Sequence, residues 1–240
     1  MAELVLALDL DEKEALSLAE TLAETVTYYK IGHKLFTSSP GIITRLSGNG
    51  RKVFLDLKYH DIPTVVGLAV KEVASGYAPF ALTLHTSGGR NMMKAAAEAR
   101  DSLPEGSRPL LFGVTVLTSM GPEDLNDIGI DLAGKDLSKQ VSRLAILARE
   151  SGLDGVVCSG HEIELIKSAC GKDFLTLVPG ISSVTPGDTD NRLQGDQKRK
   201  MSMVEAAGKG ADYIVSGRLV YRSKSPKETA GKINGHLKDI

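Results

Sequence analysis

Two cysteines, Cys158 and Cys170, are all that the 240 residues contain. So few argue against a disulfide framework, and the expected compartment is the reducing cytoplasm. Each reads first as a small buried apolar residue, and only second as a nucleophile or ligand. No Cys/His cluster has the spacing of a zinc site. Long apolar runs are missing too. No stretch approaches the roughly 20 residues that a spanning helix needs, so no membrane partner is expected. The opening "MAELVLALDLDEKEA" has no basic flank and turns acidic after eight residues, so it does not read as a secretory signal. Neither sign of charge dominates. The 29 Lys and Arg against 30 Asp and Glu leave a net charge of −1, which gives no global field to attract nucleic acid.

What is present is a hydrophobic content of 42%, enough for a sizeable core in one domain spanning 1–240. Short β-rich runs alternate with longer helical patterns. Strands are expected at 4–9, 28–32, 52–58, 80–85, 110–117, 155–159, 174–180 and 212–217. Between them lie amphipathic stretches such as "EKEALSLAETLAE" and "SKQVSRLAILARE", with apolar residues at helical spacing. Strand–helix alternation implies parallel strands with helical crossovers. Eight such units predict an α/β fold, a single (β/α)8 or TIM barrel. The competing open, doubly wound sheet would carry a Gly-rich turn after strand 1, where this chain has "ALDLDEKE".

In a barrel, function gathers at the C-terminal ends of the strands. One such end reads "FLDLKYHDIP", residues 54 to 63. Period-two alternation puts Phe54, Asp56 and Lys58 on one face, with Val53, Leu55 and Leu57 on the other. Opposite charges on an inner face are costly unless they satisfy each other, so the pair is a structural ion pair or a site. A lysine beside carboxylates stays protonated. It can donate a proton or stabilise developing negative charge, but it makes a poor Schiff-base nucleophile. Lys30, inside the otherwise apolar "YYKIG", needs a partner, and Asp56 on the neighbouring strand is the natural one. Asp61 is either functional or the N-cap of the next helix, with Pro63 in the first turn. Asp9 has a similar alternative, a capping box with Glu12. His85 is a core or a catalytic histidine. Thr118 and Ser119 either bond a polar ring or begin a loop.

"SGRLVY" follows strand 8. Barrel phosphate sites commonly use the loops after strands 7 and 8. Gly217 lets backbone N–H groups approach an anion and Arg218 adds a bidentate donor; the alternative is an ordinary turn with a surface arginine. The polar stretch after strand 7, "PGISSVTPGDTDNRLQGDQKRK", is long enough to be a lid, with Gln197, Lys198 and Arg199 available to grip phosphate.

"DLKYHDIP" resembles the D-x-K-x-x-D-I-P signature of the orotidine 5′-phosphate decarboxylases of bacterial type. "ALD", "YYKIG", "HTSGG", "VTVLTSM", "GLDGVVCS", "PGI", "GDQKR" and "GR" follow in the family's order along the whole chain. The resemblance implies a cofactor-free, metal-free homodimeric enzyme that turns orotidine 5′-phosphate into uridine 5′-phosphate in de novo pyrimidine biosynthesis. It implies an alternating network of Lys30, Asp56, Lys58 and Asp61, with Lys58 the proton donor to C6. Asp61 and Ile62 would come from the neighbouring subunit. Asp9 and Thr64 would hold the ribose hydroxyls and Thr118 the pyrimidine region, with Pro179 among the substrate-binding residues. Gln197, Gly217 and Arg218 would serve the phosphate. The chain departs from the pattern where Ser182, rather than Arg, follows "PGI"; either Arg192 replaces the lid arginine or the chain has none.

Two rivals remain. Sugar-phosphate relatives such as 3-keto-gulonate 6-phosphate decarboxylase and hexulose-phosphate synthase share D-x-K-x-x-D. They resemble each other in using Mg2+ and a strand-2 Glu, where this chain has Lys30. A non-catalytic nucleotide-binding barrel is the other rival.

Overall fold

Leu4, Val5, Leu6 and Ala7 are all buried, as a parallel strand covered on both faces requires. They belong to β1 (Glu3–Ala7) of a computed structural model that describes residues 1–132, 136–186 and 201–240. The strands that follow are β2 (Tyr28–Gly32), β3 (Lys52–Tyr59), β4 (Ala81–His85), β5 (Leu110–Val114), β6 (Gly155–Val157) and β7 (Leu175–Val178). After them come β8 (Ile181–Ser183), β9 (Met201–Ser202) and β10 (Tyr213–Ser216). Eight of these close into a parallel barrel in the order β1-β10-β7-β6-β5-β4-β3-β2. The expected (β/α)8 architecture is therefore the one observed. β8 and β9 pair separately, so the stretch after β7 is not wholly without secondary structure.

Two apolar layers hold the barrel. Inside, Val5, Ala7, Phe54, Ala81, Phe112, Val114, Val157, Leu177 and Val215 pack together. Outside, Leu6, Ile31, Leu55, Leu82 and Ile214 meet buried helix residues such as Val70, Met93 and Ile166. One end of the interior is closed by aromatic rings. The Phe54 centroid lies 5.0 Å from that of Tyr213 and 5.3 Å from that of Phe80, in edge-on contacts. Tyr28, Phe80 and Tyr213 stand at or just before the first residues of their strands. The barrel is thus plugged at its N-terminal end and opens at the other.

Several strands end earlier than the sequence pattern predicts. Val116, Leu117, Pro179 and Gly180 lie beyond the last residues of their strands and, with Cys158, line a cavity at the open end. Two capping alternatives are excluded. The helix Glu12–Thr21 is capped by Asp11, whose carboxylate accepts the Glu14 N–H at 2.9 Å; Asp9 lies two residues too early and is free of that task. The helix Pro63–Tyr77 has Ile62 at its N-cap and Pro63 in its first turn. Asp61 does not cap it, but accepts the N–H of Ile62 at 2.6 Å.

Candidate active site

Lys58 has a φ of 48°, one of two positive values among the described non-glycine residues. This left-handed turn accompanies a break in the β3–β4 ladder. Leu55 pairs with Leu82 and Tyr59 with Leu84, so Asp56, Leu57 and Lys58 stand opposite Thr83 alone. A bulge of this kind re-aims side chains. Here it brings Lys58 Nζ to 2.8 Å from Asp56 Oδ1. Lys30, from β2, places its Nζ 3.2 Å from the other oxygen, Oδ2. The partnership expected between Lys30 and Asp56 is therefore present.

Burial by itself would raise the Asp56 pKa. The ammonium groups of Lys30 and Lys58, with hydrogen bonds from Lys58 and Thr83, reverse that and hold the carboxyl far below its usual range. Burial also works against the Lys30 ammonium, but the Asp56 and Asp9 carboxylates outweigh it and lift its pKa above the ordinary lysine value. Asp56 is thus a carboxylate and Lys30 an ammonium at neutral pH.

These groups line a cavity of about 280 Å³ at the open end of the barrel. Val114, Val157 and Leu177 also line it; their strands β5, β6 and β7 lie across the closed barrel from β1, β2 and β3. One wall is charged and the facing wall is apolar, which suits a flat ring with polar edges. Asp9, Thr118, Pro179, Gly180, Gly217 and Arg218 are also in the lining. Gly180 has a φ of 90°, which favours glycine. Gly217 is in a tight place for a different reason: a Cβ there would lie 3.3 Å from Ala7 and from the Tyr221 ring.

The structure thus gathers Asp9, Lys30, Asp56, Lys58, Thr118, Pro179, Gly217 and Arg218 around one cavity. It does not bring Asp61, Ile62 or Thr64 into that lining; all three are exposed near the start of the helix Pro63–Tyr77. Gln197 and Arg192 lie outside the described residues. His85 stands off the cavity with its ring centroid 5.3 Å from that of His60. Burial, then the His60 and Lys58 charges, lower its pKa. Cys158 is buried in the cavity wall. Among the described residues, no group of three or more His, Cys, Asp or Glu is arranged to hold a metal, and no helix is long and apolar enough to cross a membrane. Sequence reasoning missed Thr83, whose only signal is a hydroxyl on the inner face of a buried strand.

Residues 2–233 match the model of the "Orotidine 5'-phosphate decarboxylase / HUMPS family". The chain is 43% identical over 232 residues to the orotidine 5′-phosphate decarboxylase of Neisseria meningitidis, covering 96% of this chain and 90% of that relative. It is 41% identical over 241 residues to the enzyme of Aliivibrio fischeri, covering 99% and 98%. Among solved structures, the orotidine 5′-phosphate decarboxylase of Lactobacillus acidophilus superposes with a TM-score of 0.84 at 32% identity, over 99% of both chains.

Proposed function

The chain belongs to the orotidine 5′-phosphate decarboxylase / HUMPS family, and from that membership we propose that it decarboxylates orotidine 5′-phosphate to uridine 5′-phosphate, a step of pyrimidine biosynthesis. The observation that carries this reading is the Lys30–Asp56–Lys58 chain of charges, set against an apolar wall in one cavity. In the reaction the bond from C6 to the carboxylate breaks and carbon dioxide leaves. The electron pair stays at C6, in the plane of the ring, where the π system delocalises it poorly. Stabilisation must then come from fixed charge in a site that excludes water. The Lys58 ammonium supplies that charge and passes a proton to C6; the amine then regains a proton from solvent. Asp56 holds the ammonium in place, and Lys30 keeps Asp56 ionised.

Arg218 and Gly217 serve the phosphate, Asp9 the ribose hydroxyls and Thr118 the pyrimidine, with Pro179 a further substrate contact; Thr64, exposed outside its own chain's cavity, serves the ribose of the partner's site. Gln197, and Arg192 in place of the family's lid arginine, join on the phosphate side. Binding energy from the phosphate, remote from C6, can be used to close the site. No cofactor takes part. An ammonium at Lys30, the position where the sugar-phosphate enzymes carry a carboxylate, opposes a divalent cation beside Asp56.

The working unit is a homodimer in the cytoplasm, with Asp61 and Ile62 contributed to the partner's site. Exposure supports this: Ile62 is 64%, Val65 43% and Leu68 57% exposed. At a spacing of three they form one apolar stripe from the helix start, beside an Asp61 outside its own chain's cavity. The test of the reaction is the loss of orotidine 5′-phosphate absorbance in the presence of a chelator. Full turnover is expected. Turnover that stops with the chelator and returns with Mg2+ would transfer the chain to the metal-dependent branch, and no turnover in either condition would favour a binding protein.

A further inference from the structure

Thr83 is fully buried and does not line the cavity, yet it touches both ends of the charged pair. Its Oγ1 accepts the backbone N–H of Lys58 at 2.9 Å. Having accepted there, it turns its own proton to Asp56 Oδ1, also at 2.9 Å. That same Oδ1 holds Lys58 Nζ. The hydroxyl, the carboxylate and the lysine thus form a closed ring of hydrogen bonds, tied through the lysine's own backbone and side chain.

The position of Thr83 explains the need for this ring. Three residues of β3 bulge opposite this single residue of β4, which takes ladder partners away from the bulged amides. A buried N–H without a partner is costly, and Lys58 is already in the left-handed region, which side chains other than glycine rarely adopt. The Thr83 side chain stands in for the missing ladder acceptor.

We propose that Thr83 is a positioning residue for the reaction: its one hydroxyl fixes the backbone of Lys58 and the carboxylate of Asp56 relative to each other, and so sets where Lys58 Nζ stands. The proposal rests on the reading of Lys58 as proton donor. Thr83 does not meet the substrate. Its effect belongs in kcat, because misplacing a reacting group by about 1 Å can cost on the order of 100-fold in rate, while contacts to the phosphate and ribose stay intact.

The test compares Thr83→Ser with Thr83→Ala, which differ by one oxygen, and adds the near-isosteric Thr83→Val. Steady-state kinetics with orotidine 5′-phosphate are read beside thermal unfolding. The expected result is a kcat lowered about 10- to 100-fold in Ala and Val, KM within about threefold, and a Ser variant within about threefold of the parent kcat. If Val does not fold, the Ser–Ala pair alone decides. A folded Ala variant with near-parental kcat overturns the proposal, as does a Ser variant no better than Ala. Lys58→Ala is run in parallel. If it is dead while Thr83→Ala is active, the clamp alone is rejected; if it is active, Lys58 is not the donor and both readings fall.

Discussion

Lys30 and Asp56 meet across β2 and β3, Nζ to Oδ2 at 3.2 Å, which leaves the other oxygen of Asp56 to Lys58 at 2.8 Å. One carboxylate therefore sits between two ammonium groups, each on its own oxygen, with 11% of its side chain exposed. For stability alone this is a poor arrangement. Buried ion pairs are often no better than apolar residues of the same volume, because desolvation offsets their attraction. For catalysis it is a good one. The charges are oriented before the substrate arrives, so little reorganisation is left for the reaction itself.

The two members of the Asp56–Lys58 pair should fail differently when removed. Lys58→Ala should lower kcat by several powers of ten, since each ~1.4 kcal/mol of lost transition-state stabilisation is tenfold. Its unfolding temperature should hold, because Asp56 keeps Lys30. Asp56→Ala leaves two ammonium groups without the carboxylate between them, one with only 13% of its side chain exposed, and should also cost about 3–5 kcal/mol of stability. Kinetics and thermal unfolding on both variants check this. A Lys58→Ala enzyme of near-normal kcat rules out the donor.

Arg218→Ala should act through the phosphate. Its kcat/KM for orotidine 5′-phosphate should fall by ten- to a hundredfold or so, the ~1.5–3 kcal/mol of a hydrogen bond to a charged group. Activity toward the unphosphorylated nucleoside should barely change, because that substrate never used the contact. Equal losses on the two substrates place Arg218 elsewhere in the mechanism.

His85 gives the stability a pH dependence of known sign. Burial, His60 and Lys58 push its folded-state pKa below 6.5, the unfolded value being about 6.5. Between the two values the unfolded chain binds a proton that the native state does not. Stability from this group is therefore complete above about pH 6.5 and declines as the pH falls toward the folded-state value. Denaturant unfolding at about pH 7.5 and pH 5.5 should show a smaller difference in His85→Gln than in the parent. An unchanged difference removes His85 as its source.

Much of this site was legible because strand alternation is a simple rule. It put Asp56 and Lys58 on one face, and the apolar run around Lys30 called for a partner that Asp56 supplies. The bulge was not legible. Nothing in lysine's own preferences suggests a φ of 48°, and without the bulge Thr83 is an ordinary strand residue. The capping alternative for Asp9 is excluded for a local reason: "DLD" offers two carboxylates two residues apart, and only Asp11 immediately precedes the helix. β8 and β9 were missed because two or three residues in a polar stretch carry no periodicity to read.

The last prediction concerns Asp61, which stays outside the cavity of its own chain and bonds the adjacent Ile62 N–H. If it completes the partner's site, a two-fold interface makes the exchange reciprocal. Lys58→Ala and Asp61→Ala homodimers should then both be nearly inactive. Mixed one to one and allowed to exchange, about half of the dimers should be mixed by random pairing. In each mixed dimer one site carries both lesions and the other carries none, so roughly a quarter of all sites should be intact. Activity should rise to about that fraction of the parent value, provided the two sites work independently. If Asp61 instead serves its own chain, every site keeps one lesion and mixing restores nothing. No recovery, with exchange verified by native mass spectrometry of differently tagged subunits, would reject the shared site. Asp61 would then be left as no more than the acceptor of the Ile62 amide at the helix entrance.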